Sequence, residues 1–241
     1  MRSLVDDIEY SFTEIVEECG DYDWDENHIT YSLMRKFREK LSHRQVHYQG
    51  FSKIVDWLSF KNRGKIETTN GDITMLVNIQ FSSGERLCGA SFLEAKRDNG
   101  DAQFNALNVT QLERIHSESP YSHLLLYTKK RQDLPRKFPH DGNWKSYFWA
   151  TPCNTAIPLL KQLTPAITGR LLRVTMPFSM LLTQRYFWGL DLDYRLDERG
   201  RAIGGLENLL TRADYLAIVN VYYDGQQPIL PELPGKWDSI T

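Results

Sequence analysis

From Ile73 to Phe81 the side chains alternate, with Ile73, Met75, Val77, Ile79 and Phe81 all on one side. A period of two sustained over that stretch describes a β-strand, because successive Cβ atoms point to opposite faces. Ser82-Ser83-Gly84-Glu85 then reads as a turn, and Arg86–Lys96 as a second strand. So short a turn makes the two strands antiparallel neighbours, a hairpin. Residues 103–118 follow as a predicted helix with Pro120 beyond its end, and residues 123–128 (HLLLYT) as a buried strand. Helix, hairpin, helix and strand in that order imply an α/β fold with a central mixed β-sheet flanked by helices.

Upstream, residues 4–18 space Leu4, Ile8, Phe12, Ile15 and Val16 for one helical face. After the break at Gly20–Trp24, Asp25 is a suitable N-cap for a second helix carrying Ile29, Leu33, Phe37 and Leu41. Downstream, the Pro- and Lys/Arg-rich run 129–140 reads as a loop or subdomain boundary. A strand over 146–151, helical pieces near 156–164 and 177–188, a strand over 214–223 and an extended tail are expected after it.

The chain has 241 residues, enough for one large domain or one domain with an extension. It shows no uninterrupted apolar stretch of membrane-spanning length, and its acidic start lacks an apolar signal segment, so a cytoplasmic location with no membrane contact is expected. Cys19, Cys88 and Cys153 are isolated and odd in number, which fits a reducing compartment and half-buried or buried thiols. A net charge of −2 excludes a uniformly basic nucleic-acid binder but not a local basic patch.

The chemistry sits in Phe92-Leu93-Glu94-Ala95-Lys96. On a strand Glu94 and Lys96 share one face, while Leu93 and Ala95 take the other. The antiparallel pairing brings Asp72, at the start of the first strand, beside the end of the second. Hard oxygen donors from Asp72 and Glu94, with the Ala95 carbonyl, suit Mg²⁺ or Mn²⁺. Such an ion polarises a phosphate, and Lys96 would orient or deprotonate a water and offset developing negative charge. Burial pulls the Lys96 pKa down and the carboxylates push it up. The competing reading of Glu94 and Lys96 is a solvated strand face closed by a salt bridge.

Gly71-Asp72 on one strand and Glu94-Ala95-Lys96 on the next, followed by a helix and a buried strand, resemble the PD-(D/E)XK nuclease superfamily over roughly residues 25–128. Gly71 stands where the family name has proline. The resemblance implies a restriction-endonuclease-like core of αβββαβ order. It also implies a Glu metal ligand from a preceding helix, for which Glu26 is the candidate and Glu14, Glu17 and Glu18 are rivals, and a catalytic Gln on the following helix, Gln111, with Arg114 one turn further to reach a phosphate.

Its functional implication is a Mg²⁺-dependent endonuclease acting on DNA by direct attack of water, without a covalent intermediate, leaving a 5′-phosphate. A role in restriction or anti-phage defence follows on the same grounds. The alternatives are a catalytically silent nuclease-fold protein that binds nucleic acid or a partner, and an RNase or structure-specific nuclease. The chain then divides into an N-terminal helix (1–24), a catalytic core (25–130) and a C-terminal extension (131–241) that completes the fold or mediates oligomerisation. Control by an activating partner protein, a ligand or DNA modification is expected of such an enzyme.

Other chemistries lack their motifs. The six histidines have neither HxH nor HExxH spacing, and there is no GxSxG elbow or GxxxxGK[ST] phosphate loop. Gly200–Gly205 reads as a turn. Basic clusters at 35–40, 61–65, 129–137 and 170–173 are candidates for phosphate contacts. Trp57 and Trp144 are candidates either for stacking on bases or for the core.

Overall fold

The computed structural model describes residues 3–20, 22–48, 51–63, 71–100, 102–104, 106–133, 145–162, 165–195, 213–228, 233 and 237–241. Helix α1 (Leu4–Cys19) starts at a capping box in which the Ser3 hydroxyl accepts from the Asp6 N–H and the Asp6 carboxylate accepts in return from the Ser3 N–H. Helix α2 (Glu26–Leu41) starts at Asp25, whose side chain accepts from the N–H groups of Asn27 and His28. Both helices bury the apolar faces expected of them.

Strands β1 (Arg44–Tyr48), β2 (Phe51–Asn62), β3 (Ile73–Gln80) and β4 (Arg86–Arg97) follow, then α3 (Val109–Glu118), β5 (Ser122–Asp133), β6 (Lys145–Pro152) and α4 (Cys153–Leu160). A 3-10 run over Pro165–Val174 leads to β7 (Met176–Pro177), α5 (Phe178–Gln184), β8 (Tyr215–Tyr222) and β9 (Trp237–Ser239). All the described strands form one mixed sheet in the order β1-β2-β8-β3-β4-β5-β6-β7, with β9 added against β2. The hairpin pair β3–β4 is antiparallel, whereas β4–β5 and β3–β8 are parallel.

Each face of the sheet has its own core. On one side α1, α2 and α5 cover Trp57, the odd-numbered residues 73–79 of β3 and the odd-numbered residues 215–221 of β8. On the other, α3 and α4 cover Leu124, Leu126 and Trp149, with Leu76, Phe92, Leu216 and Ile218 packed beside them. Burying a side chain of this size contributes about 1.5–3 kcal/mol. Trp57 belongs to this core, its indole N–H donating to the Ser59 hydroxyl; Trp144 lies outside the described residues. The three thiols are free, with Cys19 and Cys153 buried and Cys88 half-buried. Among the described residues no helix is long and apolar enough to cross a membrane.

Four expectations need correction. The helix after the hairpin begins at Val109, not Gln103: Asn108 caps it by accepting from the Gln111 N–H, and Ala102 adopts a positive φ of 54° in the preceding loop. Residues 129–133 extend β5 and are not a loop, because Gln132 and Asp133 pair with Ser146 and Lys145 after a register shift; residues 134–144 lie outside the description. Strand β3 stops at Gln80, and Phe81 turns outward as its N–H bonds the Glu85 carbonyl to close the turn. Helical structure after β6 begins at Cys153, three residues earlier than expected, and β7 occupies the start of the second expected helical piece. Gly200–Gly205 falls outside the described residues.

Candidate active site

Backbone pairing builds the site at one end of the sheet. Ile73 lies opposite both Leu93 of β4 and Tyr215 of β8, so Asp72 stands at the lip of three adjacent strands. Its backbone is fixed from both sides, its N–H donating to the Leu93 carbonyl at 2.9 Å and its carbonyl accepting from the Tyr215 N–H at 3.0 Å. The Ala95 N–H donates to Asp72 Oδ2 at 2.7 Å, which aims the carboxylate at the end of β4. The residue before it must be glycine. Gly71 has φ of 90°, and a Cβ there would lie 2.7 Å from the Leu93 carbonyl oxygen.

Helix α2 supplies the third acid. The Thr30 hydroxyl donates to the Glu26 carbonyl at 2.8 Å and shares a 3.0 Å hydrogen bond with the buried Tyr127 hydroxyl of β5. The Tyr215 hydroxyl donates to the Asn27 carbonyl at 3.2 Å. Two buried tyrosines thus pin the first turn of α2 over the strand ends. Glu26 is brought to the site, whereas its rivals Glu14 and Glu18 pair with Lys36 and Glu17 is exposed.

These elements converge on one ammonium. Lys96 Nζ lies 2.5 Å from Glu94 Oε1, 3.2 Å from Glu26 Oε1 and 3.9 Å from Asp72 Oδ2, and donates to the Ala95 carbonyl at 2.7 Å. Glu94 is fully buried, and among the described residues its Oε2 has no hydrogen-bond donor. Burial, reinforced by the charge of Glu94, raises the Asp72 pKa well above the usual carboxylate range. Burial also raises the Glu94 pKa, against the opposing pull of Lys96. For Lys96 burial is the largest influence and disfavours the charge, but the three carboxylates together outweigh it and hold the pKa above the ordinary lysine value.

The donor set fits a divalent cation. Three carboxylates around one ammonium leave an excess of two negative charges when all are ionised, and Glu94 Oε2 is an unsatisfied buried acceptor. Among the described residues no three Asp, Glu, His or Cys side chains are already arranged to hold a metal. The acids and the Ala95 carbonyl, the same oxygens named as ligands from the sequence, gather instead on the lysine ammonium as a stand-in cation.

Gln111 is not part of this cluster: it is half-buried on α3, where its backbone N–H donates to the Asn108 cap. Arg114, one turn on, is close enough for its charge to favour ionised Glu94. Cys153 lies within range of the Glu94 charge, but burial pushes its thiol up to about 12, so it offers no thiolate nucleophile. Sequence reasoning missed Thr30, Tyr127 and Tyr215. A buried tyrosine hydroxyl needs a partner, but only the register across β8, β3, β4 and β5 reveals which.

The basic clusters fare unevenly. In the first, Arg35 and Lys36 are paired to acids of α1, Lys40 to Glu39, and Arg38 to Ser239 and the Ile240 carbonyl. In the second, Arg63 is paired with Asp238, while the Lys61 ammonium lies over the rings of Tyr31 and Tyr215 at 5.9 and 5.6 Å, at the site's end of the sheet. Comparison with protein-family models, with curated proteins and with solved structures found no match.

Proposed function

We propose that the chain is a metal-dependent nuclease of the PD-(D/E)XK kind that hydrolyses phosphodiester bonds in DNA. The observation that carries this reading is the convergence of Asp72, Glu94, Glu26 and the Ala95 carbonyl on a single cation position at the end of β4. Further support comes from the succession α2, β1, β2, β3, β4, α3, β5, with β4 parallel to β5, which follows the αβββαβ order of a restriction-endonuclease-like core with β1 as one extra strand. Strand β8, inserted between β2 and β3, is an addition to that order.

In this reading those four oxygens hold Mg²⁺ or Mn²⁺. The bound ion supplies Lewis-acid polarisation of the phosphate and makes water a better nucleophile. Lys96 then orients or deprotonates that water and offsets charge on the phosphate oxygens. Arg114 adds a second cation on the α3 side. Three acids gathered on one lysine, Glu94 fully buried and Asp72 and Glu26 half-buried, argue against the silent, binding-only alternative, because a buried carboxylate is costly without a cation to use it. Restriction or anti-phage defence belongs to the same reading, as does activation by a partner or by self-association.

The test is cleavage of supercoiled plasmid and of single-stranded RNA by the purified chain with Mg²⁺, with Mn²⁺ and with EDTA. Metal-dependent nicking of the plasmid supports a DNA nuclease. Cleavage of RNA alone moves the assignment to a ribonuclease, and absence of both in a folded protein that binds DNA favours the silent alternative.

A further inference from the structure

A second site lies at the opposite end of the sheet. A cavity of about 420 Å³ opens between the first turn of α1, strands β1 and β2, and the segment from α5 to Trp188. It is displaced from the Asp72 end by six residues of β8, from Tyr215 to Val221, or about 20 Å along a strand. Its apolar walls are Leu4, Val46, Val55, Phe187 and Val221. That volume lies within the range of sites that enclose small molecules, roughly 300–1,000 Å³.

The charges around it are unbalanced. Arg44 is neutralised by its pair with Asp7. Lys53 has no acid partner among the described residues; its half-buried ammonium lies 4.1 Å from the centre of the Trp188 ring and 5.7 Å from that of Tyr223. The leading turn of α1, with Ser3, Leu4 and Val5 at the cavity, already carries the Asp6 and Asp7 carboxylates and adds no unbalanced positive charge, which leaves Lys53 as the cationic element of the wall. A purely apolar pocket would not place at its wall a partly desolvated ammonium with no acid partner among the described residues.

We propose that this cavity binds a small anion with a flat apolar body, an aromatic carboxylate, sulfonate or phosphate. Its rings lie among Val46, Val55, Phe187 and Val221, and its charge lies on Lys53. Association of the anion adds an acid partner to the two aromatic rings on the ammonium, and burial of the anion's rings supplies the apolar contact.

The probe is 8-anilinonaphthalene-1-sulfonate, titrated into the full chain and followed by its fluorescence, beside the uncharged N-phenyl-1-naphthylamine. Expected are one saturable site per chain, affinity lowered about tenfold in Lys53→Met, affinity kept in Lys53→Arg, and binding lost in Val46→Trp, which fills the cavity. Thermal melts establish that each variant folds before it is scored; should Lys53→Met fail to fold, the charged and uncharged probes on wild type decide the question. Tighter binding of the sulfonate than of the uncharged probe supports the anion site. Equal binding of the two probes, binding insensitive to Val46→Trp, or no saturable binding overturns it.

Discussion

Lys96 Nζ lies 2.5 Å from Glu94 Oε1, and the two side chains leave β4 two residues apart on one face. The pair is nearly sealed from solvent, with Glu94 fully buried and Lys96 at 8% exposure, and Asp72 and Glu26 approach the same ammonium. A single cation therefore balances three acids. Removing it leaves buried carboxylates unpaired, which costs about 3–5 kcal/mol when a buried pair is broken. Lys96→Met should lower the unfolding free energy in urea by an amount of that order at neutral pH, and adding Glu94→Gln should recover much of the loss. Equal stability of Lys96→Met and wild type would show that the acids are not held by the ammonium.

Cation binding should strengthen with pH. The pKa values of Asp72 and Glu94 are both raised by burial, so below and around neutrality protons compete with a metal for the same oxygens. As pH rises those protons leave and the apparent affinity for Mn²⁺ increases. Calorimetric titration between about pH 6 and pH 9 reads this directly. Affinity independent of pH would place the ion elsewhere.

Gly71 holds Asp72 in place through a backbone conformation that other residues rarely adopt. With φ of 90° and the Leu93 carbonyl 2.7 Å from where a Cβ would sit, Gly71→Ala should destabilise by about 1–3 kcal/mol. Proline, with φ locked near −65°, should be tolerated less still. Comparable melting of Gly71→Ala and wild type would mean that the loop relaxes without moving Asp72.

The legible part of this molecule was its local periodicity. The alternation of 73–79 and the four-residue turn at 82–85 specify the hairpin, and strand geometry alone puts Glu94 beside Lys96 and returns Asp72 to their end. The helices α1 and α2 follow from their apolar spacing, and Asp25 marks the start of α2. Strands β1 and β2 were not legible, because Lys53, Asp56 and Lys61 interrupt any clean alternation in a strand with apolar residues on both faces. Nor was the placement of β8 between β2 and β3, a pairing set by contacts between residues more than a hundred positions apart. Gln111 and Arg114 share a helix, and only the packed position of α3 shows that it is Arg114 whose charge reaches Glu94.

A second buried acid makes stability depend on pH far from the site. Glu9 of α1 accepts from the Ser146 hydroxyl at 3.1 Å and from the Ser179 hydroxyl, its Oε2 has no donor, and burial pushes its pKa up to about 7. The unfolded chain returns it to the ordinary carboxylate value near 4.3. The folded state therefore binds the extra proton between those values, and this group's contribution to stability falls as pH rises through that window. Glu9→Gln should be more stable than wild type at pH 8 by about 3–4 kcal/mol, with the gap closing toward pH 5. A difference that does not change with pH would mean that Glu9 ionises with solvent access.

A hydrolytic centre at Glu94 and Lys96 cannot work without either side chain. The most direct test is the rate of plasmid nicking in Mn²⁺ by wild type, Glu94→Ala and Lys96→Ala, with each variant first shown to be folded at the assay temperature. Expected are metal-dependent nicking by wild type and a loss of about a thousandfold or more in each variant. Nicking that persists in both folded variants at the wild-type rate would contradict it.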